Sequence, residues 1–442
     1  MAKQRRWLPR LLVLLALLVA PLAIAPLLPL DTLKPAVESR LSATLGRKVS
    51  VGSMRLSFWG GPYLTINGMT AREDPAFGEG DLLKAGQVRA NFAIFDYVLH
   101  RQVVIDGITI KSPEFTFIKS SNGTWSWTTV GQPPPEQQAA VRRVAPQAAH
   151  PLFAVAAALL ADLKNASFNN IHIESASVRL IDRTGEQPPE SYYKNISLDA
   201  SITRPDAGAA DRASHATGRI RADSDESDAS EILKTELPFD LNINRGAASA
   251  LAVSGTLGPG PLQTKNFSAQ TFRLDGKISA GGEASTEAGA QPRAISNLVG
   301  DGHITSGEMF IPSVNISEQV ARALNLGQIG DMSQGTGIGS LETDFKVEKG
   351  VVNTSALRIQ QLDGLGDATA DSGWFKIESA LMLNYVATVL LSPEATAQVK
   401  KVSPLLGAAI SVLESNNRVP VPVNITGDVR NPQVQVDVSR IF

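Results

Sequence analysis

Gly46–Asp74 reads GRKVSVGSMRLSFWGGPYLTINGMTARED, and its period is two. Val49 and Val51, then Met54, Leu56 and Phe58, then Leu64 and Ile66 alternate with polar neighbours, and Gly60-Gly61-Pro62 separates the two runs. Alternation puts successive side chains on opposite faces, so the stretch predicts two strands, each with one apolar face, joined by a turn. The apolar set moves from odd to even positions across Gly52-Ser53. A one-residue change of phase turns side chains to the other face, which predicts a bulge or a twist there. The stretch has no histidine, no cysteine and no acid–base pair, so it offers no platform for catalysis.

Downstream the pattern continues in VVIDGITIKSPEFTFIKSSNGTWSWTTV, where Ile108/Ile110, Phe115/Phe117 and Trp125/Trp127 alternate and Asn122-Gly123 signals a tight hairpin. This predicts a meander of antiparallel strands. GQPPPEQQAAVRRVAPQ then reads as a linker or excursion before an alanine-rich helix near 151–163. Strands resume at FNNIHIESASVRLIDR and continue to the C-terminus, interrupted by the acidic loop ADSDESDASE and by helices near Glu318–Leu326 and Pro393–Glu414. Four Asp-Gly pairs, Asp106-Gly107, Asp275-Gly276, Asp301-Gly302 and Asp363-Gly364, predict turns. In the final RVPVPVNITGDVRNPQVQVDV, Pro420 and Pro422 lie two apart, so both missing N–H groups belong to one side of their strand. That side cannot form a full ladder, which predicts an edge strand or a flanking bulge.

Upstream, Lys3, Arg5, Arg6 and Arg10 precede an uncharged apolar run from Leu11 to Leu30, including Leu11, Leu15, Leu18, Leu22 and Leu27. About 20 such residues match a bilayer core of roughly 30 Å. The basic flank predicts a single-pass anchor with a cytoplasmic N-terminus and the bulk exported. A cleaved signal peptide is the rival, since Ala23-Ile24-Ala25 suits cleavage and Pro21, Pro26 and Pro29 weaken a helix. Thr32–Gly46 then carries Leu33, Val37, Leu41 and Leu45 at helical spacing, with Gly46 placed to end the helix.

The 442 residues are 43% hydrophobic with net charge −2, so the chain can bury a core and has no bulk electrostatic reason to bind nucleic acid. Absent cysteine excludes disulfides and thiolate metal sites and leaves the compartment undecided. His100, His150, His172, His215 and His303 stand in unrelated contexts, with neither HExxH nor HxH. No GxSxG occurs, and GQIGDMSQGTGIGS at 327–340 lacks the lysine of a phosphate loop and follows a helix, so it reads as a helix-to-strand loop. Seven Asn-x-Ser/Thr triplets fit the polar face of strands. The expectation is a non-enzyme without cofactor or metal. Many strands and few helices leave little to cover a second face, so the sheet must close, pair with another sheet, or curl into a groove with its apolar side toward a ligand.

The anchor, the helix running into LGRKVSVGSMRLSFWGGPYLTINGMTARED, then VIDGITIKSPEFTFIKSSNGTWSW, LPFDLNIN, VSGTLGPGP and the terminal VPVPVNITGDVRNPQVQVD together resemble the AsmA-like family of Gram-negative inner-membrane proteins. The resemblance implies an anchor at 1–30, an N-terminal β module at 31–131, a variable middle at 132–234 and a C-terminal β module at 235–442. It implies a mainly β fold, a transmembrane helix followed by a long, twisted, mostly antiparallel sheet curled into an open periplasmic groove, related to the chorein-type bridge-like lipid-transfer proteins. Phospholipid and the inner membrane are the implied partners, with the outer-membrane assembly machinery a further one. Val51, Met54, Leu56, Phe58, Leu64, Ile66, Ile108, Ile110, Phe115 and Phe117 are the candidate groove lining. Roughly twenty strands at about 4.8 Å would give a groove of order 100 Å. The alternative is an assembly factor that binds outer-membrane proteins through strand edges such as Val419–Ile425.

Overall fold

The computed structural model describes residues 34–57, 61–92, 105–121, 123–130, 168–185, 189–203, 214–227, 229–245, 251–280, 298–312, 314–323, 335–348, 350–376, 382–402, 415–428 and 431–437. The apolar run with Leu11, Leu15, Leu18, Leu22 and Leu27 lies outside them, as do Phe58, Asn122, the linker at 131–147 and the helix expected near 151–163. Among the described residues no helix is long and apolar enough to cross a membrane. The chain forms two compact units, one ending at Asp206 and the other beginning at Ala207, a division inside the stretch 132–234.

The first unit contains helix α1 (Lys34–Leu45) and strands β1 (Val49–Ser57), β2 (Tyr63–Arg72), β3 (Asp81–Phe92), β4 (Ile105–Lys119), β5 (Phe168–Asp182) and β6 (Glu190–Thr203). α1 stops where the sequence predicts, at Gly46 with φ +64°. Each strand pairs with the next, antiparallel except for β4 and β5, which run parallel. Parallel neighbours need a long crossover, and residues 120–167 supply the length. The expected meander is therefore broken at the excursion. A tight turn does follow β4: Ser120 N–H donates to the Thr124 carbonyl at 2.8 Å, and Gly123 has φ +86°. The chain then enters a 3-10 turn, Ser126–Thr129, instead of the strand expected from Trp125/Trp127.

The opening stretch keeps one register from Val49↔Ala71 to Ser57↔Tyr63, so it has no bulge. Both strands change phase together, because the register sets Gly52 opposite Gly68. The same line continues through Gly86, Ser112 and Ser175, and φ is +68°, +47° and +51° at Gly68, Ser112 and Ser175. β6 has its own left-handed residue, Asn195 at φ +53°. With an extra residue in each strand, the apolar side chains stay on one face across this crease: Val49, Val51, Met69, Ala71 and Ala85 share a buried cluster with Met54, Ile66 and Val37 of α1. Small residues are required there, since a Cβ on Gly52 would stand 2.5 Å from the Asn67 carbonyl oxygen.

The second unit contains β7 (Ser214–Ser224), β8 (Leu233–Arg245), β9 (Leu251–Thr264), β10 (Ser268–Ala280), β11 (Leu298–Ile311), α2 (Ile316–Ala323), β12 (Thr336–Glu348), β13 (Val351–Leu362), β14 (Gly366–Lys376), β15 (Met382–Leu391), α3 (Pro393–Val402), β16 (Pro420–Asp428) and β17 (Asn431–Val436). Each strand pairs antiparallel with the next. The acidic stretch links β7 to β8 as expected, while the loop read at 327–340 is strand from Thr336 onward. The described residues thus hold seventeen strands rather than about twenty. Along the pairing direction the eleven of this unit span about 50 Å and the six of the first about 25 Å.

Of the four Asp-Gly pairs, Asp363-Gly364 is the turn that the sequence predicts, with φ +42° and +70° and Leu365 N–H donating to the Leu362 carbonyl at 2.7 Å. Asp106-Gly107, Asp275-Gly276 and Asp301-Gly302 lie inside β4, β10 and β11. Gly276 faces Gly302, which faces Phe345, and a Cβ on Gly302 would stand 2.8 Å from that ring. Gly302 makes room for an aromatic side chain, and Gly276 for the close backbone of Asp301 and Gly302, rather than for a change of direction.

β16 has partners on both sides, so it is not the edge strand that Pro420 and Pro422 predict. The prolines instead sit where β17 runs out: the last pair is Val423↔Val436, and Asp437 N–H donates to the Pro422 carbonyl at 3.0 Å. Proline has no N–H to return, so the ladder stops. At β1 of the first unit and at β17 of the second a helix intervenes. Ser42 Oγ and Glu38 Oε1 of α1 accept from Val49 and Val51 N–H at 2.8 and 2.7 Å, and Gln319 Oε1 of α2 accepts from Val434 N–H at 3.1 Å. Gly68→Ala should cost about 1–2 kcal/mol, because alanine resists positive φ. Gly86→Ala, with extended backbone and nothing closer than 3.7 Å, should be neutral or slightly stabilising; urea midpoints compare the two, and equal losses would contradict the crease.

Candidate functional site

Cross-strand register assembles the sequence candidates into rows. Leu56, Leu64, Ala90, Ile108, Ile171 and Ala200 face one another in turn across all six strands of the first unit. Two residues along, Met54, Ile66, Val88, Ile110, Ile173 and Leu198 form a second row. Beyond the crease, Leu83, Phe115 and Val178 continue the face, followed by Phe117 and Leu180. All the described candidates therefore lie on one face. They differ in cover: Val51, Met54 and Ile66 are buried at 2%, 8% and 8% exposure in the cluster beneath α1. Leu56, Leu64, Ile108, Ile110, Phe115 and Phe117 are only half-buried.

The other face is wet. Thr65, Arg89, Thr109, His172 and Asp199 form one of its rows, and Asn67, Gln87, Lys111 and Glu174 another. Lys111 lies 3.4 Å from Glu174, His172 lies 3.1 Å from Glu174 and bonds Asp199, and Arg89 stacks 3.6 Å above the Tyr63 ring. In the second unit Ile243, Val253, Ile278, Gly300, Val347, Val352 and Phe375 make an apolar row, while Thr256, Asp275, His303, Asp344 and Ser355 make a polar one. Ile278 is 38% exposed. A recess of about 720 Å³ in this unit has Pro261, Leu262, Ala269, Met309, Phe310 and Ile338 among its lining residues. Tyr385, stacked on Gly373, accepts from the Thr354 hydroxyl at 3.0 Å; burial outweighs that bond and pushes its phenol pKa up, so it stays neutral at pH 7.

Among the described residues, no group of three His, Asp or Glu is placed to hold a metal. His172, His215 and His303 sit on the wet face or its margin beside carboxylates rather than together. Alternation alone does not reveal an aromatic stack at the end of β4. The Phe115 and Phe117 rings lie 6.1 Å apart, Trp127 meets Phe117 edge-on at 5.3 Å, and Trp125 stacks on Trp127 at 4.3 Å. Arg47, just after α1, holds this turn in place by donating to the Ser126 carbonyl at 3.4 Å and to the Thr129 hydroxyl. It is buried with Glu73 and Asp74, 3.6 and 3.5 Å away. Lys119 lies 3.0 Å from Asp182 and 6.0 Å from the Trp125 ring.

Strand rows with one apolar face occur within each unit, the pattern that the opening stretch announces, and residues 1–274 match the AsmA family. The chain belongs to the AsmA family. No curated protein matches it. Among the described residues, this AsmA-family chain presents half-buried aliphatic and aromatic side chains on one face of its strand rows and ion pairs on the other.

Burial raises the Asp182 carboxyl pKa, but the hydroxyl and backbone N–H of Thr184 and the Lys119 ammonium outweigh it and hold the group below its ordinary value. A depressed carboxylate stabilises the fold above its unfolded pKa, and that share is lost as pH falls through the folded value. Asp182→Asn should therefore cost up to about 1 kcal/mol at pH 7 and progressively less as pH falls through the folded value, read from urea midpoints at descending pH.

Proposed function

We propose that this AsmA-family chain is an inner-membrane-anchored periplasmic protein that carries phospholipid along its apolar sheet face between envelope membranes, supporting outer-membrane assembly. The half-buried rows through Ile108 and Ile110 carry this reading: six strands align aliphatic side chains on one face, and the cluster beneath α1 contains no described residue of β5. An acyl chain in water costs about 0.8 kcal/mol per CH₂, so a continuous apolar path removes the main barrier to movement and no bond need break. The basic flank and the apolar run Leu11–Leu30 support the anchor and the exported bulk. Curling of the sheet around its apolar face would turn that face into a groove.

The strand-edge reading has less support. Side chains of α1 and α2 accept from the outer N–H groups at Val49, Val51 and Val434, and β17 covers much of β16. Such edges are protected against a client strand.

Ile110→Asp or Ile173→Asp should abolish phospholipid transfer between donor and acceptor vesicles by the full-length protein. Thr109→Asp, one residue away on the wet face, should leave transfer near the unsubstituted rate. Circular dichroism would confirm that each variant folds. Equal transfer by folded Ile110→Asp and unsubstituted protein would defeat the proposal.

A further inference from the structure

The wet face of the second unit changes character along its strands. On β7, β8, β10, β11 and β12 it carries ion pairs: Arg219 and Arg221 meet Glu236 at 2.7 and 3.3 Å, Lys277 meets Asp301 at 3.2 Å, and His303 meets Asp344 at 2.8 Å. From β13 to β17 uncharged side chains replace them. One row runs Asn353, Trp374, Asn384, Thr426 and Gln433. The next runs Ser355, Ser372, Val386, Asn424 and Gln435, and Thr369, Thr388 and Pro422 follow on β14, β15 and β16. Most of these residues are exposed, Val386 at 43%, and Trp374 is half-buried. Among the described residues the one charge inside this outline is Asp371, where β14 shifts register against β15. Asp344, Lys346, Arg358 and Lys376 stand at its border.

The amides here differ from those elsewhere on the sheet. Gln87 donates to Asn67 at 3.2 Å, and Asn242 Oδ1 lies 3.2 Å from His215 Nδ1. Among the described residues, the side chains of Asn353, Asn384, Asn424, Gln433 and Gln435 make no hydrogen bond within the protein. Each therefore keeps an acceptor oxygen and a two-proton donor for something outside. An apolar occupant would strip water from these amides and return no bond, which is unfavourable. A charged occupant would find no row of counter-charges. The outline measures about 20 Å across the strands and about 13 Å along them, roughly 250 Å². A stable protein interface takes about 800 Å² from each partner, so the outline is too small for a second copy or another folded domain.

We propose that this face of β13–β17 binds an uncharged glycan, with Trp374 as the stacking residue and the amide rows as its hydrogen-bonding ladder. A pyranose ring combines a face of C–H groups, which packs on an aromatic ring, with a rim of hydroxyls that both donate and accept. Trp374 and the amides beside it offer the matching pair of surfaces. Repeating sugars present these groups at intervals along a chain, and the strands present their amides at intervals of about 4.8 Å. An acetamido substituent pairs with an Asn or Gln amide in both directions, N–H to carbonyl, so a chain containing N-acetylhexosamine suits the ladder best. The Asp371 carboxylate adds an acceptor for a hydroxyl. The site lies on the face opposite the apolar rows and is independent of the lipid-carrying reading.

The test is fluorine NMR of the full-length protein labelled with fluorotryptophan, held in a zwitterionic detergent without a sugar headgroup and titrated with the linear tetramer of N-acetylglucosamine. The signal lost in Trp374→Phe identifies Trp374. That signal should shift saturably while those of Trp125 and Trp127 stay in place. By calorimetry, Trp374→Ala and the pair Asn384→Ala with Asn424→Ala should each raise Kd about tenfold or more. Gln360→Ala, exposed on β13 outside the outline, should keep Kd within about twofold. Circular dichroism confirms that each variant folds. No saturable shift, an equal shift with glycerol at the same hydroxyl concentration, or an unchanged Kd in folded Trp374→Ala would overturn the site. A Trp374 shift on concentrating the protein without sugar would assign the face to a second copy and overturn it as well. None of these results bears on phospholipid transfer.

Discussion

Everything in the first unit depends on keeping apolar side chains on one face of strands too long to alternate without interruption. The crease does this. From β1 to β5 each strand inserts one small or left-handed residue at the matching position, Gly52, Gly68, Gly86, Ser112 and Ser175 in turn, so the register is kept across the crease there, whereas β5 and β6 shift register around Ser175. A conventional bulge in one strand would set two residues against one and send half of a row to the wet face. Left-handed backbone at serine is uncommon and unfavourable, and matched pairing on both sides is what holds Ser112 there.

Given that face, the helices and edges follow. α1 covers the part of the sheet nearest the N-terminal apolar run, where Val37, Leu41 and Leu45 meet Val49, Val51 and Met69, and its polar side satisfies the outer N–H groups of β1. In the second unit α2 and α3 contribute Val320, Ala321, Ala395 and Val399 to the core formed with Leu362, Val389 and Val421, and Gln319 meets β17 as Glu38 meets β1. In the first unit Leu56, Leu64, Ile108, Phe115 and Phe117 are left half-buried. Under the proposed lipid-carrying function such a face would take up hydrocarbon, since a dozen CH₂ groups moved out of water amount to about 10 kcal/mol.

Much of this was legible in the sequence because alternation is a local signal. Strand character, the one-sided face, the helix ending at Gly46 and the position of the phase change at Gly52 can all be read from nearest neighbours. Partner choice cannot. Nothing within IDGITIKSPEFTFIK states that β5 will run parallel to it, and nothing at Asp275-Gly276 or Asp301-Gly302 states that a Phe345 ring will need the space. Pro420 and Pro422 gave the correct side of the strand for the missing donors but not the six-residue strand that pairs beyond them. The aromatic stack was hidden for a similar reason: Trp125 and Trp127 alternate in sequence yet stack face to face once the chain turns. Family membership, carried by the order of strand motifs, was more legible than any single contact.

Mass spectrometry of lipid extracted from the full-length protein, purified in detergent and washed on the column, tests the central claim most directly. The proposed lipid-carrying function predicts phospholipid retained in stoichiometric amount, and its loss when Ile110 and Ile173 both become aspartate. Protein that is folded and free of phospholipid, or a double variant that retains as much as the unsubstituted chain, would contradict it.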